Sequence, residues 1–167
     1  MLECEIELIN QAEEKAACLI DKLKKLSKTL AIAESCTSGL ISSVIGSVPG
    51  ASDVFWGSFI CYTKDAKIKM LDLNKSSLET NGLVSKETAC SMADGVLAES
   101  NADFAAAVTG LAGPSGDGSS NPVGTVWAAS ASRTGETETF KFQFSGGRNE
   151  IRIKAAIAVL DMILKKI

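Results

Sequence analysis

The sequence contains no histidine, and that absence narrows the chemistry more than any residue present. Ser–His–Asp triads, Cys–His pairs and His-ligated metal sites are all excluded. Proton transfer must therefore run through Lys, Tyr, Asp, Glu, Cys or water. Aromatic residues are scarce at 5% of the chain, and Tyr62 is the single tyrosine, hence the sole candidate phenol. Positive charge is not in excess. A formal net charge of -3 lacks the basic footprint of a nucleic-acid or anionic-membrane partner, so neither is expected. No apolar run approaches the roughly 20 residues that span a bilayer. The five cysteines, Cys4, Cys18, Cys36, Cys61 and Cys90, form no C-x-x-C or C-x-x-H pair, so neither a zinc site nor a disulfide framework is indicated. Odd, scattered thiols, with Glu3, Glu5 and Glu7 following Met1 in place of an apolar leader, lead us to expect a cytoplasmic protein.

What is present fits one domain over residues 1–167, 46% apolar and 22% charged. A chain of this size buries about 70% of its unfolded surface. Apolar residues from Ile6 to Leu26 recur at helical spacing, and lysines gather at the end of that run, where the negative pole of a helix would lie. Thr29–Ala33 is a short strand-like run, and Leu40, Ile41, Val44 and Ile45 outline a helix ending near Gly46. Val54–Tyr62 reads as a strand, Ala66–Leu71 as a short helix and Ser76–Gly82 as a turn. Ser85 caps a helix running through Thr88–Ala98. Asp103–Val108 is a second buried strand. Val123–Ser130 and Thr137–Phe144 form a hairpin about Arg133–Glu136, and a last helix runs from about Asn149 to Lys166. Alternating strands and helices with one hairpin predict an α/β protein with a mixed sheet.

Two buried strands end in polar turns. In open α/β sheets ligands gather beyond the carboxyl ends of the strands, so a shared site is expected there. The first turn, AESCTSG, places Ser35 where a helix N-terminus would offer an oxyanion hole. Ser35, Thr37 or Ser38 would serve equally as helix caps, and Cys36 is a second nucleophile candidate. If Ser35 reacts, its proton needs a base. The lysines of CYTKDAKIK, beside Tyr62, supply one if burial lowers an amine pKa. The glycines of TGLAGPSGDG leave backbone N–H groups uncovered in the manner of an anion cradle. That stretch matches neither a Walker loop nor a dinucleotide fingerprint, and a flexible loop explains its composition as well. Arg148 opens the last helix against the helix dipole, a conflict that a bound anion would relieve.

Taken in order, AESCTSG, YTKDAKIKML, TGLAGPSGDG with NPVGTVW, and FSGGRNEIR resemble the CinA C-terminal domain family from about Leu26 onward. The resemblance implies a three-layer α/β/α fold with a mixed central sheet. It also implies the activity of a nicotinamide-nucleotide amidase, which converts nicotinamide mononucleotide to nicotinic acid mononucleotide and ammonia in pyridine-nucleotide salvage. By it the catalytic serine falls on Ser35, with Tyr62 and Lys67 as its partners. Glu34, Cys36, Thr37, Thr109, Gly110, Ala112, Gly113, Gly116 and Arg148 fall at substrate-binding positions. Neither a metal nor a cofactor is implied. The chain departs from the family pattern at Ser38, where a second glycine is usual, at Lys64 for an asparagine, and at Gly147 for an aspartate. A nucleotide-binding protein without turnover, or an amidase for a different small amide, would keep the same motifs. The apolar stripe of Ile6–Leu26 is available to the core or to a second copy, so a homodimer is a further expectation.

Overall fold

The computed structural model describes residues 3–167. Its first helix, α1 (Glu3–Leu26), carries acids in the first turn and Lys24 and Lys25 in the last, as its dipole favours. There follow β1 (Leu30–Glu34), α2 (Leu40–Gly46), a 3-10 turn at Ala51–Asp53, β2 (Phe55–Ile60), α3 (Lys64–Leu71), α4 (Lys75–Asn81), α5 (Lys86–Ser100) and β3 (Phe104–Gly110). The hairpin β4 (Thr125–Ser132) and β5 (Gly135–Gln143) leads into α6 (Arg148–Lys166). The sheet runs β2-β1-β3-β4-β5. Strands β2, β1 and β3 are parallel, and β4 and β5 are antiparallel additions. This is the expected α/β/α sandwich with a mixed sheet.

Side-chain alternation sorts the two faces of the sheet. Leu30, Ile32, Ala106, Val108, Val126 and Ala128 pack beneath α1, α2 and α6. Ala31, Ala33, Ala105, Ala107, Ala129 and Ala131 face the other layer, where α5 supplies Ala89, Met92, Ala93 and Val96. The fully buried apolar residues that these three strands give that face are all alanine, with Trp127 partly buried against them, so α5 approaches closely. It is pressed in turn against α3: a Cβ at Gly95 would fall 2.7 Å from the Leu71 carbonyl oxygen. On the opposite side the stripe of α1 is spent on the chain's own core. Leu19, Ile20 and Leu23 have at most 1% exposure, worth about 1.5–3 kcal/mol each.

Most element boundaries fall within two or three residues of the sequence reading. The stretch Ser76–Gly82 departs from it: this is helix α4, not a turn. Its seven residues bury only Leu78 and are started by the Asn74 side chain, which accepts the Ser77 N–H. One apolar anchor gives no periodicity to read. The caps of α3 and α5 are Thr63 and Ser85, whose hydroxyls accept the N–H groups of Ala66 and Thr88.

Strand order sets the position of the site. From β1 the chain moves to β2 on one side and later to β3 on the other, so the crossovers diverge at the carboxyl end of β1. A crevice opens at such a switch point, and Ser35 is the first residue past it.

Candidate active site

Residue Glu34 ends β1 in register with Ile60 and Val108, and the Ser35 N–H then donates to the Val108 carbonyl at 3.1 Å. The turn that follows places Ser38 at φ 52° and Gly39 at φ 89°. Both lie in the left-handed region, which costs a side-chain-bearing residue about 1–2 kcal/mol. The exposed Ser38 thus occupies a backbone conformation in which glycine is at ease. Its side chain points to solvent, so the departure at this position does not crowd the nucleophile.

None of the expected hydroxyls caps α2. Gly39 is its N-cap and has no side chain to offer. The capping group is the Glu34 carboxylate, which accepts N–H groups from Gly39 at 2.9 Å, Ile41 at 3.2 Å and Ser42 at 2.8 Å, and the Ser42 hydroxyl as well. This corrects two expectations. Glu34 is fully buried with its oxygens engaged, so it does not face a ligand. The α2 amides at Gly39, Ile41 and Ser42 are already taken and cannot form an oxyanion hole. Thr37 likewise leaves the list of ligand contacts. It is fully buried, its hydroxyl has no partner among the described residues, and its carbonyl accepts Arg152 Nη2 at 2.8 Å.

From the neighbouring segment, Lys67 of α3 reaches the serine. Its Nζ lies 2.8 Å from Ser35 Oγ and 2.7 Å from the Cys61 carbonyl oxygen, and the residue is 1% exposed. Burial lowers its pKa from the usual lysine value, opposed only by the nearby thiols of Cys61 and Cys36. The neutral amine can then accept the Ser35 hydroxyl proton while still donating to Cys61. Lys64 is turned away, ion-paired to Glu79 at 2.7 Å, so of the two lysines only Lys67 meets the serine. Cys36 borders the same space, and burial pushes its thiol up to about 12. It is a protonated, unreactive thiol at neutral pH.

The remaining residues form a cleft of about 270 Å³ over this pair. Tyr62, Thr109, Gly110, Ala112, Gly113, Gly116 and Arg148 all line it. Two backbone features shape its wall. A Cβ at Gly110 would sit 2.7 Å from the Thr125 carbonyl oxygen, and Gly113 has φ +80°. The Thr109 hydroxyl donates to the Leu83 carbonyl at 2.7 Å, tying the glycine-rich loop to the segment before α5. Arg148 bridges the mouth, with Nη1 donating to the Gly113 carbonyl at 2.6 Å and Nη2 to the Tyr62 hydroxyl at 3.0 Å. The Tyr62 hydroxyl is therefore held by Arg148 and contacts neither Ser35 nor Lys67. Leu83, Val84, Leu111, Ser115 and Asp117 also line the cleft. Leu83 and Val84 come from a loop with no polar signature, and only the fold brings them here. A larger groove of about 650 Å³ lies between β5 and α6, walled by Phe140, Phe142, Ile157 and Met162. It holds no paired nucleophile and base, so the chemistry points to the smaller cleft. Among the described residues no cluster of His, Cys, Asp or Glu is placed to hold a metal ion, and no helix is long and apolar enough to cross a membrane.

Comparison with known proteins agrees with this architecture. Residues 12–167 match the family model described as the CinA C-terminal domain. A CinA-like protein of Endomicrobium trichonymphae is 44% identical over 140 residues, which is 84% of this chain and 32% of that protein. The crystal structure of the competence/damage inducible protein CihA from Agrobacterium tumefaciens superposes with a TM-score of 0.90 at 39% identity, covering 93% of this chain and 94% of that one. A CinA superfamily protein from Escherichia coli has the same TM-score at 28% identity, over 100% of this chain and 94% of that one. The chain spans about a third of the length of the curated relatives it matches (32%, 34% and 38% for three of them).

Proposed function

We propose, from the premise that the chain belongs to the CinA C-terminal domain family, that it is an amidohydrolase deamidating nicotinamide mononucleotide to nicotinic acid mononucleotide and ammonia. One observation carries the proposal: a serine hydroxyl 2.8 Å from a lysine amine that is buried and held below its usual pKa. A binding protein has no need of that pair. Burying an amine is costly, and the arrangement matches what a nucleophile without histidine requires.

The reaction runs in two halves. Lys67 takes the Ser35 hydroxyl proton as Oγ bonds to the carboxamide carbon. The tetrahedral adduct then collapses, the carbon–nitrogen bond breaks, and Lys67 returns the proton to the departing nitrogen, which leaves as ammonia. Water attacks the acyl-enzyme with Lys67 again as base, and the carbon–Oγ bond breaks to release the acid and restore Ser35. The developing oxyanion cannot use the capped α2 amides. The N–H of Cys36, next in the chain after the nucleophile and bordering the cleft, has no acceptor among the backbone hydrogen bonds of the described residues and is the donor we assign to it. Arg148, at the cleft mouth and in none of the ion pairs among the described residues, receives the substrate phosphate. Tyr62, held by Arg148 with half its surface exposed, positions the substrate at the mouth rather than relaying the Ser35 proton.

The test is ammonia release from nicotinamide mononucleotide by the purified protein, with Ser35→Ala and Lys67→Ala alongside. Release that both substitutions abolish supports the serine–lysine amidase. Release that survives Ser35→Ala sinks it, as does a folded wild type that binds the nucleotide and releases nothing.

A further inference from the structure

Glu34 and Lys67 are the charged side chains buried to 1% exposure or less. The reaction accounts for Lys67 and leaves Glu34 without a task. Taking a carboxylate out of water is costly unless it is paired and hydrogen-bonded, and Glu34 joins no ion pair among the described residues. Every donor to its oxygens comes instead from one short segment, Gly39, Ile41 and Ser42. That segment is the far end of the turn that begins at Ser35.

Capping alone does not explain this arrangement. A short helix is served by a hydroxyl at the turn, with no charge buried. Such a hydroxyl is present in Thr37, yet Thr37 Oγ1 is fully buried and has no partner. The main chain of Glu34 points to a wider role. Its carbonyl accepts the Cys61 N–H at 2.9 Å and also faces Cys61 Sγ at 3.7 Å. The Cys61 carbonyl in turn accepts Lys67 Nζ at 2.7 Å. One residue therefore grips the turn bearing the nucleophile by its side chain, and the segment bearing the base by its backbone. Within that turn Ser38, whose N–H donates to the Ser35 carbonyl at 3.1 Å, sits at φ 52°, a conformation that persists only where its surroundings over-determine it.

We infer that Glu34 is the positioning residue of the site: its buried carboxylate locks the Ser35–Gly39 turn so that Ser35 Oγ stays within reach of Lys67. This rests on Ser35 being the nucleophile, so the test needs a readout that does not depend on the nicotinamide substrate. The rate at which a fluorophosphonate labels Ser35 is such a readout, measured with amide hydrolysis and thermal unfolding for Glu34→Gln and Ser42→Ala. The carboxamide of Glu34→Gln keeps the shape but turns a donor towards backbone N–H groups. A displacement of about 1 Å at a reacting atom costs on the order of 100-fold in rate, so labelling and kcat should fall by about that factor in folded Glu34→Gln, with KM unchanged. Ser42→Ala removes one donor and should slow labelling by a smaller factor, about threefold, with no loss of the cooperative transition. Labelling within twofold of wild type in a folded Glu34→Gln overturns the inference, and so does a change confined to KM. If Glu34→Gln does not fold, Ser42→Ala decides, and unchanged labelling there overturns it. A wild type labelled at Ser35 but inactive on the nucleotide defeats the amidase reading alone, leaving this inference to be read from labelling. A wild type with no labelling at Ser35 overturns both.

Discussion

Replacing Lys67 with methionine keeps an unbranched side chain one atom shorter and removes its charge and its basicity, so activity and stability should part company. The amine makes two contacts, to Ser35 Oγ at 2.8 Å and to the Cys61 carbonyl at 2.7 Å. A positioned general base contributes about 10²–10⁴-fold, so kcat for ammonia release should fall by at least about 100-fold. Serine and base act as a unit, so Ser35→Ala with Lys67→Met should lose no more than the worse single variant. For stability the terms oppose. Losing the donor to a buried carbonyl costs about 1–3 kcal/mol, whereas methionine carries none of the desolvation that lowers the lysine pKa. The pH dependence separates them. Burial lowers the folded-state pKa below the ordinary 10.5, so between those two values the unfolded chain binds more protons than the folded one. Wild-type stability therefore rises with pH across that window, and the full penalty remains below it. The methionine variant lacks this contribution. Denaturant unfolding of both proteins at pH 7 and pH 10 should show wild type gaining on the variant at the higher pH. A variant within tenfold of wild-type activity would refute Lys67 as base. A stability difference that does not move with pH would refute the burial of a depressed amine.

Other consequences can be checked alongside. The kcat/KM profile should rise with pH through a limb set by deprotonation of Lys67, below the ordinary lysine range because burial lowers its pKa; a pH–rate profile flat across that range would contradict it. Arg148→Ala removes the bonds to Gly113 and Tyr62, and loss of a charged hydrogen bond of about 1.5–3 kcal/mol should raise KM for the phosphate-bearing substrate about 10- to 100-fold. Nicotinamide riboside, which has no phosphate, should show no such dependence when assayed in parallel. With its thiol pushed up to about 12, Cys36 should resist iodoacetamide at pH 7 while exposed Cys4 and Cys18 are alkylated, as peptide mass spectrometry would report. Gly110→Ala drives a Cβ to 2.7 Å from the Thr125 carbonyl oxygen and 2.8 Å from Val126 Cγ2. Overpacking of this kind costs about 1–3 kcal/mol, measurable as a lower denaturation midpoint.

Much of this protein was written locally. The apolar runs Leu30–Ala33 and Ala105–Val108, the stripe of α1, the Ser85 cap and the inward face of α6 each depend on residues a few positions apart, and local pattern reports such neighbours directly. The missing histidine confined proton transfer to Lys, Tyr, Asp, Glu, Cys or water before any fold was known, and the resemblance of the ordered motifs singled out Ser35 and Lys67. Direction was not written there. Lys64 and Lys67 share one helix, yet one reaches Glu79 and the other Ser35, because Lys67 lies on the buried face of α3 with Leu71 and Lys64 does not. Glu34 read as a ligand residue because the family resemblance carries it to a substrate-binding position. Only the packed sheet shows its carboxylate directed into α2, leaving Thr37 unpartnered. The contact of Arg148 with Tyr62 joins positions 86 residues apart. Pattern along the chain determined which residues are apolar, capped or chemically able. The strand order, which brings the ends of β1 and β3 to one crevice, decided which of the able groups meet, since a hydrogen bond or a proton transfer depends on ångströms that sequence spacing does not encode.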